Sequence, residues 1–428
     1  MNLWDATLES KPAERESLKK TEEIDVAIIG AGFTGLWSAY HLLSNNPDLK
    51  IAIIEKERVG FGASGRNGGW VSALYPSGIG ADEVTPHLVQ SINEIGVFAS
   101  KYAPDANFRK GGTVTFARNR AQLKRLKNEI SSATFLDKNE TESKIKVDGA
   151  LGSLFTPDCA TIHPGRFVRA LADHVEQLGA RIYEKSPSLR NSDHKVTTPS
   201  GALIATNVIS ATEAFAKSGR ERVPLYSLMV ATEPISEKIW EEIGLNNGES
   251  FAEASHLVTY GQRTVDNRLA VGGRGAPYLF GSLMRSAAEN NSQIHEQIIA
   301  MVREWFPPLV NTKFTHRWGG AVSVSRDWQP FANFNQETGQ AKAGGYVGDG
   351  VTLSYLAAKT LAALILEKDS ELTKLPFVNH TPPLWEPEPL RWLGVNSVVK
   401  LIGLADHEEA ATNQPSLIAK ALSKVTGN

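Results

Sequence analysis

Residues 24–55 constrain this chain more than any other stretch, because they read without a break as strand, turn, helix and strand. Ile24-Asp25-Val26-Ala27-Ile28-Ile29 is short, β-branched and mostly apolar, the pattern of a buried parallel strand. It runs straight into Gly30-Ala31-Gly32-Phe33-Thr34-Gly35, a GxGxxG turn. Leu36 to Leu43 then has helical apolar spacing, and Asn45-Asn46-Pro47-Asp48 stops it. Ile51-Ala52-Ile53-Ile54 returns as a second strand ending at Glu55. In such a unit Gly30 permits the tight turn, Gly32 lets a pyrophosphate approach the backbone, and Gly35 lets helix and strand pack closely. The helix start, with Phe33 and Thr34 in its first turn, offers free N–H groups and a partial positive charge to phosphate. Glu55 stands where a carboxylate accepts the two ribose hydroxyls, and Lys56 follows it. An acid at this position argues against a 2′-phosphate. A glycine turn in an unrelated α/β fold is the competing reading.

The next segment separates one dinucleotide from another. Gly60 to Trp70 is glycine-dense and carries Ala63, Ser64, Arg66, Asn67, Gly68 and Gly69, with no second parallel strand directly after it. So little side-chain bulk suits close approach to an extended ligand. Ser64 is placed to bond a phosphate oxygen, and the Asn67–Gly69 backbone to bond a flavin or its ribityl chain.

Ala31-Gly32-Phe33-Thr34-Gly35-Leu36-Trp37 followed by Gly62-Ala63-Ser64-Gly65-Arg66-Asn67-Gly68-Gly69 resembles the flavin-binding motif of the D-amino-acid oxidase-like FAD-dependent oxidoreductases. Within them it is similar to the branch of γ-glutamylputrescine oxidases and aminophosphonate oxidoreductases. The resemblance implies an α/β fold: a Rossmann-type FAD-binding domain interleaved with an α+β substrate domain built on an antiparallel sheet. It implies non-covalent FAD and oxidation of an amine or amino-acid-like small molecule, with O2 or another electron acceptor. Two alternatives stay open: an amine dehydrogenase passing electrons to quinone or a carrier protein, and a non-catalytic flavin-binding protein. By the same resemblance Pro187-Ser188 should lie beside the adenine, and the strand ending Ala211-Thr212 should return to the FAD. Glu213 stands where glycine is usual, which puts tight backbone contact there in doubt.

A second glycine-rich turn, Gly344 to Leu353, feeds a helix running to Leu366. Gly348, Asp349, Gly350, Val351 and Thr352 place first-turn N–H groups where they can face the N1–C2=O end of a flavin and stabilise negative charge there. The resemblance agrees. By that resemblance, members acting on small α-amino acids hold the carboxylate with arginine near the flavin, yet Trp318-Gly319-Gly320-Ala321 and the Gly348-Asp349-Gly350 turn carry none. Arg274, Arg66, Arg317 and Arg326 are therefore the candidates for an anionic substrate end, since a guanidinium forks onto carboxylate or phosphonate. Asp349 is the candidate for steering a cationic amine.

The elements divide the chain into an N-terminal extension (1–23), FAD-binding segments (24–107, 160–222, 313–379), substrate-domain segments (108–159, 223–312) and a helical tail (380–428). Strands are expected over 108–117, 181–183, 195–198, 202–206, 208–212, 223–233, 257–260, 269–273 and 313–322, and helices over 119–130, 282–306 and 390–401. The tail, behind a proline-stiffened linker, is expected to pack on the body or to make a homo-oligomer contact.

Other classes are excluded by composition. Net charge is −2 with no basic stripe, so no nucleic-acid partner is expected. The single cysteine, Cys159, cannot form an intramolecular disulfide, and a packing role is expected of it. His163 precedes Pro164-Gly165 and reads as a helix cap. No His/Cys cluster has metal-ligand spacing, so no metal is expected. Residues 1–23 lack a signal-type apolar core, and the apolar run near Leu356 to Leu366 is too short to span a bilayer, so a cytoplasmic protein without a membrane span is expected.

Overall fold

Along Thr21–Ile29, alternate residues serve two different cores. Val26 and Ile28 pack on one face against helices, while Ala27 and Ile29 pack on the other with Leu203, Val208 and Tyr183. A strand buried on both sides is the reason the sequence shows a continuous apolar run here rather than alternation. In this computed structural model, which describes residues 2–9, 14–128, 133–216, 219–273, 275 and 277–426, that strand is central to the first of two large sheets.

The first sheet runs Phe331–Asn335, Gln340–Gly344, Ala202–Ser210, Thr21–Ile29, Ile51–Ile54, Arg181–Tyr183, with a small meander (Lys195–Thr197, Arg190–Ser192) on the third strand. Its inner pairs are parallel. Helices Phe33–Asn45, Ala81–Tyr102, Pro164–Gln177 and Gly350–Ile365 cover one face through a single large core. The cofactor-type turn therefore opens at the C-terminal end of the central strand, where an open parallel sheet leaves its crevice.

The second sheet runs Phe314–Ser325, Arg222–Thr232, Leu269–Gly273, Thr259–Arg263, Ser250–Glu253, Thr113–Ala117, Gly152–Thr156, Thr134–Leu136. All its pairs are antiparallel except Ser250–Glu253 with Thr113–Ala117. Helix Ser292–Trp305 buries Ile298, Ile299, Val302 and Trp305 against it. The fold is thus α/β, a Rossmann-type half interleaved with an α+β half, as the family resemblance implied.

Several elements depart from the sequence reading. Ala202–Ser210 is one strand rather than two, because its parallel pairing with Thr21–Ile29 carries it through the polar Thr206-Asn207. Helix Ala81–Tyr102 was not expected; Pro86 in its first turns obscures the buried row Val84, Leu88, Ile92, Ile95 and Phe98. The 282–306 helix divides into Ser286–Glu289 and Ser292–Trp305, where the Asn291 side chain caps the second piece by accepting from Ile294 N–H. Phe314–Ser325 pairs along its length with Arg222–Thr232, in the second sheet rather than the first. The tail helix extends over Leu390–Thr412 and is followed by Leu417–Thr426. Within the segment taken as an extension, Leu3 and Trp4 are fully buried. Among the described residues no helix is long and apolar enough to cross a membrane.

Candidate functional site

The turn after the central strand is fixed by backbone bonds before any ligand is considered. Gly30 has φ of +106°, and a β-carbon there would stand 2.6 Å from Ala211 O. Gly35 lies so close to the strand that a β-carbon would meet Gly30 O at 2.0 Å. Only glycine permits these two approaches. The Glu55 carboxylate reaches back to accept Ala31 N–H and Glu57 N–H, each at 2.9 Å. Burial pushes its pKa up, against those two N–H bonds. Ser64 Oγ accepts Phe33 N–H at 2.9 Å and so stands over the helix N-terminus. These groups open onto a cavity of about 490 Å³ that runs from Lys56 and Ser188 past Gly32, Phe33, Thr34, Ala63 and Asn67 to Gly348, Gly350 and Val351. Ala211 and Thr212 line it as well.

This cleft fits an FAD. It has a helix N-terminus with a hydroxyl beside it for phosphate, and a carboxylate at the end of the second strand for ribose. At its far end lies a second helix N-terminus, that of Gly350–Ile365, whose capping residue Asp349 gives it no side-chain hydrogen bond. Gly35 and Thr352 are not on the cavity wall: Gly35 serves packing, and Thr352 is buried inside the second helix with Oγ1 lacking a partner among the described residues.

The glycine-dense loop is held from outside by four consecutive carbonyls. Trp318 Nε1 donates to Arg66 O and Trp4 Nε1 to Asn67 O, both at 2.8 Å. Gln262 Nε2 donates to Gly68 O at 2.6 Å, and Ile162 N–H to Gly69 O at 2.9 Å. Trp4 is itself fixed by edge contacts with His163 and Trp318, and its neighbour Asp5 by ion pairs with Arg58 and Arg169. A loop with little side-chain bulk of its own takes its shape from these distant donors. Gly69 is buried and lines neither cavity, and Gly68 lines the neighbouring cavity.

That second cavity, about 290 Å³, shares Ala63, Asn67, Val322, Gly348 and Val351 with the first. Trp70, Tyr260 and Trp328 line it, with Ser227, Asp349 and apolar Leu74, Val258 and Val347. Trp70 and Tyr260 meet edge to face at 6.1 Å, and Tyr260 OH bonds Ser227 Oγ at 2.7 Å. Asp349 accepts the Ser72 hydroxyl at 3.1 Å. Arg66 also lines the cavity, with its guanidinium bonded to Glu289 at 2.7 Å and set over the Phe61 ring.

The remaining arginine candidates are not brought here. Arg317 pairs with Glu296 at 2.8 Å on the outer face, as strand alternation beside buried Trp318 requires. Arg326 pairs with Glu386 and lies over Trp385 of the tail. Arg274 lies outside the described residues. The aromatic residues were not singled out from sequence, because they come from three separate segments. The signal within reach was Trp70, a large ring in a loop of glycines.

Other reactive side chains are structural. Cys159 is buried and lines neither cavity. His163 caps Pro164–Gln177 by accepting Arg166 N–H at Nδ1, and burial, with Arg166, lowers its pKa to about 4. His256, Asp406 and Glu409 gather within metal-ligand distance. Their lone pairs are spent otherwise: Glu409 grips Arg125 with both oxygens, and Asp406 accepts His256 and Leu257 N–H. The cluster docks the tail helix on the second sheet.

A family model described as FAD dependent oxidoreductase (DAO) matches residues 25–364. The chain is 30% identical over 393 residues to the probable oxidoreductase OrdL of Haemophilus influenzae, covering 83% of this chain and 86% of that protein. It is 27% identical over 385 residues to the γ-glutamylputrescine oxidoreductase of Escherichia coli, covering 83% and 87%. Among solved structures, glycine oxidase from Geobacillus kaustophilus superposes with a TM-score of 0.69 at 20% identity, over 84% of this chain and 98% of that one. An L-amino acid deaminase from Proteus myxofaciens gives 0.69 at 17%, over 86% and 96%. At such identities these structures speak to the fold alone.

Proposed function

The chain belongs to the DAO family of FAD-dependent oxidoreductases, and we propose that it oxidises the carbon–nitrogen bond of an amine or amino-acid-like molecule held in the aromatic cavity. The supporting observation is the wall that this cavity shares with the cofactor cleft, formed by Ala63, Asn67, Val322, Gly348 and Val351. Bound FAD supplies a two-electron acceptor able to take hydride from the carbon that bears the nitrogen. The chain supplies binding and orientation. In the cofactor cleft we assign Glu55 to the ribose, Ser64 and the helix start at Phe33 and Thr34 to the pyrophosphate, Ser188 and Lys56 to the adenine end, and Gly350 and Val351 to the flavin end. A thioether link to the flavin is not open to the single cysteine, since Cys159 lines neither cavity, and non-covalent retention is part of this reading.

In the substrate cavity the faces of Trp70 and Tyr260 attract an ammonium, and the Asp349 carboxylate adds charge of the right sign. The neutral amine is the form that reacts, because its lone pair stabilises the carbon losing hydride. Water hydrolyses the resulting imine. For a secondary amine the balance is R–CH2–NH–R′ + O2 + H2O giving R–CHO + H2N–R′ + H2O2. Arg66 is already paired with Glu289 through one of its nitrogens, so an anionic substrate end would share or replace that partner.

The test supplies holoenzyme with amines, amino acids and aminophosphonates while O2 uptake, peroxide and carbonyl product are measured. An oxidase gives peroxide and carbonyl in equal amounts. Turnover that needs a quinone and takes up no O2 moves the protein to the dehydrogenase reading. No turnover with either acceptor across the whole panel counts against the proposal.

A further inference from the structure

Glu213 is an unusual residue for the wall of a cofactor cleft. It follows the Ala202–Ser210 strand after Ala211-Thr212 and holds a φ of +43°, in the region that favours glycine. About a quarter of its side chain is exposed (26%), and the residue lines the cleft. Oε1 accepts Tyr346 N–H at 3.2 Å. Oε2 has no hydrogen-bond partner among the described residues. The Ser323 hydroxyl, fully buried on the same wall, also lacks one, as does Nε of buried Arg222. Two unsatisfied polar groups on the cleft wall, with a third behind it at Arg222, are costly unless water or a shared proton meets them.

The groups facing this carboxyl come from three directions. Arg222 NH1, from the Arg222–Thr232 strand, stands 3.9 Å from Oε2. Ser323 projects from the Phe314–Ser325 strand, and the Gly345–Tyr346 backbone closes the third side. Burial pushes the carboxyl up, against the pull of Arg222. Tyr346 links the carboxyl to the anion-binding turn, since its hydroxyl bonds Thr34 Oγ1 at 3.0 Å.

We propose that Glu213 enters the cofactor complex as a protonated acid, so that binding of FAD takes up a proton at this residue. The inference rests on FAD occupying the cleft. Filling the cleft takes water from the wall that carries this residue, and a pyrophosphate at the Phe33–Thr34 turn would add negative charge to the same cleft. Both disfavour the carboxylate. Oε1 then remains the acceptor for Tyr346 N–H, while Oε2, sealed from the cleft, carries the proton toward the Ser323 hydroxyl beside it. The sign follows: affinity is full when Glu213 is protonated before binding and falls as pH rises and that proton must be taken from solvent. The loss is at most about tenfold per pH unit.

Glu55, also raised, titrates in the same cleft with the opposite sign, because its carboxylate is the form that accepts ribose hydroxyls. The readout is therefore the ratio of FAD Kd between wild-type apoprotein and Glu213→Gln, where Gln keeps the shape and a donor but never ionises. The ratio should be near one at about pH 5.5 and rise roughly 5- to 30-fold by about pH 8.5. Glu213→Gly, which suits the backbone conformation, should likewise lose the pH-linked part and serves if the Gln variant does not fold. A ratio independent of pH overturns the proposal and leaves Glu213 as a brace for the Gly345–Tyr346 turn. Failure of wild type to bind FAD at all overturns the cofactor reading instead.

Discussion

The two ends of this site are built by opposite means. The dinucleotide end is made mostly from backbone close together in sequence, the Gly30 to Gly35 turn, with the side chains of Glu55 and Ser64 bonded to it. The substrate end is made from side chains, with Trp70, Ser227, Tyr260, Trp328 and Asp349 arriving from five stretches of the chain. Backbone geometry tolerates almost no substitution, whereas a cavity of side chains changes by degrees. The same contrast explains why the cofactor was legible in the sequence and the substrate was not.

The largest effect should come from Gly35→Ala. Its β-carbon would overlap Gly30 O at 2.0 Å, a backbone collision that no rotamer relieves. The cost should be about 3 kcal/mol or more, read as a steep fall in Tm and loss of bound FAD. Near-wild-type Tm would break the claim that the turn is fixed by backbone packing. Glu55→Ala should come next, weakening FAD by about 1–3 kcal/mol while folding survives in excess FAD. Unchanged affinity would remove Glu55 from the ribose.

Trp4→Phe probes the boundary between the two ends. It keeps a ring in the core but leaves Asn67 O without its donor. A buried carbonyl left unsatisfied should cost about 1 kcal/mol, seen as a several-fold rise in FAD Kd with little change in apoprotein Tm. A fall in Tm with no change in Kd would make Trp4 a packing residue only. The smallest effect should be Asp349→Asn, which removes charge beside the aromatic rings. About 1 kcal/mol in kcat/KM, carried by KM, is expected with FAD content intact. An equal fall in kcat would show that Asp349 acts on the reacting atoms.

The sequence revealed what repeats locally. The Ile51–Ile54 strand is found at the residues expected, because a β-branched run between turn residues leaves few other readings, and the Arg181–Tyr183 strand begins where the glycine stop at Gly179 placed it. Trp4 escaped notice because a single turn of helix, Leu3–Ala6, has no periodicity to detect. Arg317 was a fair candidate by composition, yet period-two alternation next to Trp318 already turned it outward. Glu213 was visible as an oddity, but only the fold shows that the residue lines the cleft with one carboxyl oxygen buried and lacking a hydrogen-bond partner among the described residues.

The central claim is that cleft and cavity form one reaction site. Anaerobic mixing of the FAD-loaded protein with amines tests it most directly, followed through the flavin's visible absorbance. The account predicts that at least one amine bleaches the flavin in a saturable single phase, and that Asp349→Asn shifts the half-saturating amine concentration without changing the limiting rate. A protein that binds FAD tightly and keeps its full colour with every amine, amino acid and aminophosphonate would contradict it.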